Sequence, residues 1–240
     1  MDKSVYIRHI KNENEHWWFK ARREILSYQI KKYTNKNKIK VLDFGAGSGT
    51  NIRMLSHFGK VDAYEKDLET TIFLKKRYKN TTTNIINKPF SKNQKYDLIL
   101  AADVIEHIKN DKINIKNLNK ILKKDGLLII TVPAYNFLFS KKDETLKHFR
   151  RYNQVSLKRL FNKDYKKIKI SYYNFFLFIP ISILIIIFKI VNYQFIDDVE
   201  TKPNSVANNI FYNIFRFEKY ILKYVNLPFG LSIISIFKKI

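Results

Sequence analysis

Residues Val41-Leu-Asp-Phe-Gly-Ala-Gly-Ser-Gly-Thr50 constrain the fold more than any other stretch, because a short apolar run breaks there into three alternating glycines. Val41 to Phe44 read as a buried strand. Gly45, Gly47 and Gly49 let the backbone turn sharply and approach a ligand without Cβ clashes. The spacing is G-x-G-x-G, with Thr50 where a dinucleotide fingerprint would place its third glycine. That pattern favours a nucleoside lacking a pyrophosphate, which needs an acid for its ribose. Glu65 supplies one, closing the second apolar stretch Val61-Asp-Ala-Tyr-Glu65 about 20 residues after Asp43.

Strand and helix patterns alternate through the first half: strand 39–44, helix 50–57, strand 60–65, helix 67–78, strand 84–87, strand 96–101, helix 104–123 and strand 127–132. This alternation predicts a parallel sheet covered by helices on both faces, with the carboxyl ends of its strands converging on one crevice. A helix over 15–33, with Trp17, Trp18, Ala21, Ile25 and Leu26 on its apolar face, precedes the first strand, and Asn35 to Lys38 form a polar turn. After Pro133 come a polar and aromatic segment, a helix near 154–162 and a strand near 166–173. The run Phe175–Phe188 is almost wholly apolar, too short to span a bilayer and interrupted by Pro180. A helical stripe over 206–226, capped by Asn204 or Ser205, leads to a last strand at 231–237.

The glycine loop with Glu65, the segment Tyr96-Asp-Leu-Ile-Leu-Ala-Ala-Asp-Val-Ile-Glu-His-Ile108 and the turn Leu122-Lys-Lys-Asp-Gly-Leu-Leu-Ile-Ile-Thr-Val-Pro133 occur in the order and spacing of a known family. The chain resembles the class I S-adenosylmethionine-dependent methyltransferases over nearly its full length. The resemblance implies an α/β, Rossmann-like, seven-stranded, mostly parallel sheet whose last strand is inserted antiparallel between the fifth and sixth. Strand 166–173 becomes the sixth and 231–237 the seventh. The domain is then 39–240, behind an N-terminal cap region at 1–38 and carrying a hydrophobic helical insertion at 175–228.

The same resemblance implies that Gly45, Gly47 and Gly49 pass close to S-adenosylmethionine, that Glu65 binds both ribose hydroxyls, and that Asp43 orders the loop through backbone amides. Asp103 would face the methionine part of the cofactor, and as a plain residue it would cap the helix starting at Val104. His107 would sit one turn into that helix beside the crevice. Many such enzymes carry an acid after the third strand to read the adenine; here Asn87-Lys-Pro stands there, leaving Asn87 or a backbone group for that task.

Glu15-His-Trp-Trp-Phe-Lys-Ala-Arg-Arg23 reads either as a lid, with Arg22 or Arg23 pairing the methionine carboxylate, or as a docking helix whose tryptophans fill the flank of the sheet. This motif and Val132–Tyr152 resemble a subgroup associated with glycan and lipid-linked sugar synthesis. Its acceptor residues match Ser140, Asp143, Glu144, His148, Arg150, Arg151 and Tyr152. His148 with Asp143 suits an oriented general base, and Arg150 or Arg151 suits an anionic acceptor. The plainer reading is a loop tied down by internal ion pairs. Asp143, Glu144 and His148 have no spacing that predicts a metal site.

The formal net charge of +24 is spread over scattered lysines, and reads either as a solvated background or as attraction to an anionic membrane. Nucleic acid is not expected, since no Asn-Pro-Pro-Tyr motif follows the fourth strand. The absence of cysteine fits a reducing compartment, and polar Met1–Asn14 does not read as a secretory signal. The expectation is a cytoplasmic or membrane-peripheral enzyme that O-methylates a small or lipid-linked acceptor. A nicotinamide-dependent oxidoreductase, which would want glycine at position 50, and a membrane-docked binding module without turnover are the alternatives.

Overall fold

In the computed structural model, which describes residues 10, 12–34, 38–88, 90, 93–191 and 203–240, seven strands form one sheet. The strands are β1 (Ile39–Phe44), β2 (Gly59–Tyr64), β3 (Asn84–Ile86), β4 (Tyr96–Ala102), β5 (Leu122–Pro133), β6 (Tyr165–Tyr173) and β7 (Ser232–Lys239). Their order is β3-β2-β1-β4-β5-β7-β6. The first five are parallel, and β7 runs antiparallel to both β5 and β6 between them. The expected Rossmann-like sheet and the roles of its sixth and seventh strands are therefore observed. Part of the 1–38 cap region, the turn at 35–37 and residues 192–202 of the 175–228 segment lie outside the described residues.

The central strands are apolar on both faces, as a sheet covered on both sides requires. Val41, Leu98, Leu100 and Ile129 enter one core, and Leu42, Ile99, Leu128 and Ile130 enter the other. The first core is roofed by α1 (Trp17–Tyr33), α2 (Ile52–Ser56), α3 (Leu68–Arg77) and a helix from late in the chain, α8 (Ser205–Ile221). The second is roofed by α4 (Asp111–Ile121) and α6 (Gln154–Lys158). A short helix, α5 (Lys141–Thr145), lies between β5 and α6.

Three expectations are corrected here. Residues 104–123 do not form one helix: Asp103 takes a positive φ of 56°, Ile105–His107 make a single 3-10 turn, and Ile108 is extended before α4 begins. Asp103 is accordingly no helix cap, and His107 lies in the turn. The strand expected at 127–132 begins earlier, at Leu122, with a register irregularity opposite Tyr96–Leu98. Pro180 does not interrupt the apolar run, which forms α7 (Phe178–Ile190). Proline falls there in the first turn, where its missing N–H has no helical partner to lose.

α8 is capped by Asn204, whose side chain accepts from the Ala207 amide at 2.9 Å. It docks on α1 through Trp17 against Phe211 and Phe215, and through Glu24 with Lys219 at 2.6 Å. Its Glu218 is fully buried and accepts from the backbone N–H of Asn174 and Phe175, both at 2.7 Å, and of Phe176 at 3.3 Å. Those amides lead directly into α7.

Burial pushes the Glu218 carboxyl up to about 7, against the pull of the three amides. Because this pKa is raised on folding, the group's contribution is greatest below its unfolded value near 4.5 and is lost as pH rises through 7. Glu218→Ala strands these amides and is expected to cost about 2–4 kcal/mol in urea unfolding. Glu218→Gln is expected to flatten the pH dependence of stability between about 4.5 and 7.

Candidate active site

The crevice lies at the carboxyl ends of β1, β2 and β4. The loop after β1 turns back on β2, with the amides of Gly45 and Ala46 both donating to the Tyr64 carbonyl at 2.9 Å. Gly45 has φ 72°, and a Cβ there would stand 2.7 Å from the Val104 side chain beyond β4. Only glycine permits that approach. Glu65, just past β2, accepts from the Gly47 amide at 2.9 Å and from the Asp67 amide at 3.0 Å. The acid and the loop are thus joined, as the second strand's register requires.

Asp43 is buried beneath the loop. Its carboxyl is bonded to the Asn51 side chain, and its Oδ2 has no partner, so a side chain takes the place expected for backbone amides. Burial pushes this carboxyl up to about 7, against the attraction of Arg22. Asp103, partly exposed, holds the buried Arg22 in an ion pair and accepts from the Thr131 hydroxyl at 3.2 Å. The Arg22 guanidinium lies 4.4 Å from the Trp18 ring centroid. The structure therefore divides the tryptophan pair: Trp17 docks α1 on α8, and Trp18 backs the arginine. Asn87 is a brace, its amide nitrogen donating to Glu65 O, Lys66 O and Thr71 Oγ1. That nitrogen is committed to the protein.

The segment after β5 gathers around Asp143. His148 Nδ1 lies 2.8 Å from Asp143 Oδ1, and Arg151 binds both carboxylate oxygens through Nε at 2.9 Å and Nη2 at 2.8 Å. The Ser140 amide donates to the same carboxylate at 2.9 Å, and its hydroxyl does so at 3.2 Å. Burial opposes ionisation of Asp143, but His148 and Arg151 hold it well below the usual carboxylate range. Arg150 and the Tyr152 hydroxyl both bind Asp111 at the start of α4, at 2.7 and 2.8 Å. Tyr152 is buried, and its hydroxyl ties the loop to the start of α4. Ser140, likewise, closes a capping box on α5, and both arginine forks have internal partners. A cavity of about 460 Å³ nevertheless opens beside Arg150 and Arg151, bounded by Tyr135, Phe137 and Leu160. A cleft of about 240 Å³ at the opposite ends of the strands, near Asp97 and Lys238, is remote from these groups.

Two carboxylates escaped the sequence reading. Glu13 is buried, accepts from the Ser48 hydroxyl of the glycine loop at 3.1 Å and pairs with Arg77. Glu106 is fully buried with neither oxygen bonded, and burial with the nearby Asp103 charge raises its pKa well above the carboxylate range. Glu106, His107 and His148 place donor atoms within 4.8 Å of one another, a set able to share a proton or hold a cation. The two imidazoles meet edge to face at 4.5 Å. Burial and His148 bring His107 down to about 4, so it is neutral at pH 7. No sequence spacing predicts this set; the turn at Ile105–His107 brings Glu106 and His107 to His148.

The family model for a methyltransferase domain matches residues 13–165. The chain is 32% identical over 196 residues to the uncharacterised protein MJ0638 of Methanocaldococcus jannaschii, covering 78% of this chain and 80% of that one. It is 29% identical over 120 residues to the ubiquinone biosynthesis O-methyltransferase of Pelagibacter ubique, covering 45% of this chain and 50% of that one. The match thus spans about half the length of that enzyme. Among solved structures, the plantazolicin methyltransferase BpumL in complex with S-adenosylhomocysteine superposes with a TM-score of 0.61 at 15% identity, over 99% of this chain and 91% of that one. The N-methyltransferase NodS of Bradyrhizobium japonicum, also with S-adenosylhomocysteine, gives 0.58 at 10% identity, over 95% and 90%.

Asp143→Asn leaves Arg151 and His148 without a charged partner. The substitution is expected to cost about 3–5 kcal/mol at pH 7, read by urea unfolding. Because the Asp143 pKa is lowered on folding, its contribution is present above the unfolded value near 3.8 and lost in acid. The penalty of the substitution should therefore shrink as pH falls below about 4.

Proposed function

This chain belongs to the methyltransferase-domain family, and on that premise we propose that it transfers a methyl group from S-adenosylmethionine to an oxygen of a small or lipid-linked acceptor. The observation that carries the reading is Glu65, held at the end of β2 by the amide of Gly47 in the glycine loop. Its carboxylate suits paired hydroxyls of a ribose. The residues fit the cofactor in two further ways. A Cβ on Gly47 would meet nothing within 4 Å, so the loop borders open space, and Arg22 Nε is buried without a partner.

When bound, S-adenosylmethionine supplies an electrophilic methyl on a sulfonium. The protein must then position the acceptor in line and take its proton. Glu65 and Asp103 place carboxylates where that cation would lie, in a chain of net charge +24. With His148 Nδ1 donating to the ionised Asp143, Nε2 is the free acceptor for a proton from a hydroxyl. Asp143, held strongly acidic, orients the ring and does not take the proton itself. The O-methyltransferase name of several relatives supports oxygen as the methylated atom. The cavity beside Arg150 and Arg151 suits an acceptor with an aromatic or lipid portion against Tyr135 and Phe137, and a polyprenyl-linked sugar is one such molecule.

Calorimetric titration with S-adenosylhomocysteine tests the cofactor. Micromolar binding is expected, weakened about tenfold or more by Glu65→Ala. No binding by the folded protein would refute the reading. His148→Gln is expected to lower turnover about 100-fold while leaving the S-adenosylhomocysteine affinity unchanged. Unaltered turnover in that variant would remove His148 from the mechanism.

A further inference from the structure

The least explained surface of the molecule is α7. Along its thirteen residues, Phe-Ile-Pro-Ile-Ser-Ile-Leu-Ile-Ile-Ile-Phe-Lys-Ile, Ser182 is the sole buried residue. Phe178, Ile181, Ile185 and Phe188 are half-buried and lie at helical spacing, so they mark the stripe that touches the protein. Ile179, Ile183, Ile186 and Ile190 form a second stripe, and Leu184, Ile187 and Val191 a third. All seven are exposed, Ile190 to 77% and Val191 to 61%. Nearly half the circumference of the helix is bare aliphatic surface, far wider than a core-facing face requires.

The neighbours extend this surface. Phe176 just before α7 is 44% exposed, Phe137 in the turn that α7 touches 56%, and Phe217 on α8 54%. Lys189 reaches back to the Phe137 carbonyl at 2.9 Å, tying the end of α7 to the rim of the acceptor cavity. The exposed stripes of α7 itself carry no Arg, Tyr or Trp anchor and no polar atom to set a register, unlike a typical protein interface. The sequence leading into and through α7 is basic, with acidic residues returning only at Asp197, Asp198 and Glu200. From Tyr165 to Ile196 the sequence has no acidic residue and includes Lys166, Lys167, Lys169 and Lys189. Lys141 and Lys142 follow the Phe137 turn, ahead of the internally paired Asp143 and an exposed Glu144.

A helix of this length measures about 20 Å, too short for the ~30 Å hydrocarbon core. No helix among the described residues is long and apolar enough to cross a membrane. We propose that α7 is an in-plane membrane helix, sunk on its aliphatic side into an anionic phospholipid surface with the nearby lysines at the headgroups. The mouth bounded by Tyr135, Phe137 and Arg150 then opens at the bilayer, where a lipid-linked acceptor resides. The docking itself is independent of the methyl-transfer reading.

The test is flotation of the full chain with phosphatidylcholine vesicles, with and without phosphatidylglycerol, for wild type and Ile183→Asp/Ile187→Asp. The wild type is expected to float with the anionic vesicles, less so as salt screens the lysines. The double variant is expected to lose about 90% or more of that flotation, with an unchanged melting temperature. Four results would overturn the proposal. The wild type fails to float; the variant floats equally well; the variant unfolds, which makes the face internal and covered by this chain; or light scattering shows a dimer that the variant dissociates, which assigns the face to a second copy. Retained S-adenosylhomocysteine binding by a non-floating variant separates failure of docking from failure of the cofactor site.

Discussion

One buried guanidinium balances the charge of the whole crevice. Arg22 pairs with Asp103 and attracts Asp43 and Glu106, three carboxyl groups that reach it from β1, the end of β4 and the turn beyond. Without it, the fold would bury these groups against one another at a cost that neither Asn51 nor Thr131 offsets. The pair also joins the start of the chain to its middle, linking α1 to the end of β4. The local field is therefore acidic inside a protein that is strongly basic overall. Whole-chain charge and crevice charge thus have opposite signs.

The parallel half of the sheet was legible because its strands are short apolar runs ending at glycine or acid. The glycine loop and Glu65 were legible for the same reason, as their spacing reports a backbone requirement. The segment after Ala102 was not. A left-handed residue at Asp103 ends the regular pattern, yet aspartate there looks like any helix cap. Burial of Glu106 and Glu13 was equally hidden, because each depends on contacts distant in the chain. Glu13 meets Ser48 across 35 residues, and Tyr152 finds Asp111 across 41.

The acceptor side shows how a cluster legible as chemistry can divide by role. Ser140, Asp143, His148, Arg150, Arg151 and Tyr152 all lie where the sequence placed them, after β5. Hydrogen bonding then separates them. Tyr152 and Arg150 fasten the loop to α4, while Arg151 and Ser140 hold Asp143. His148 alone presents a ring nitrogen beyond these internal bonds, beside His107 and Glu106. A motif read residue by residue thus separates into internal anchors and one imidazole with a nitrogen outside their bonds.

The three amides gathered by Glu218 have a mechanical consequence. They fix the backbone of Asn174 to Phe176, the stem from which α7 projects, to a helix that is itself locked on α1. A projecting helix on a loose stem would swivel, and anything it touched would meet the carboxyl-end face of the sheet at many angles. On this rigid stem the protein has one heading: whatever plane α7 rests against, the β-strand ends always face it at the same inclination.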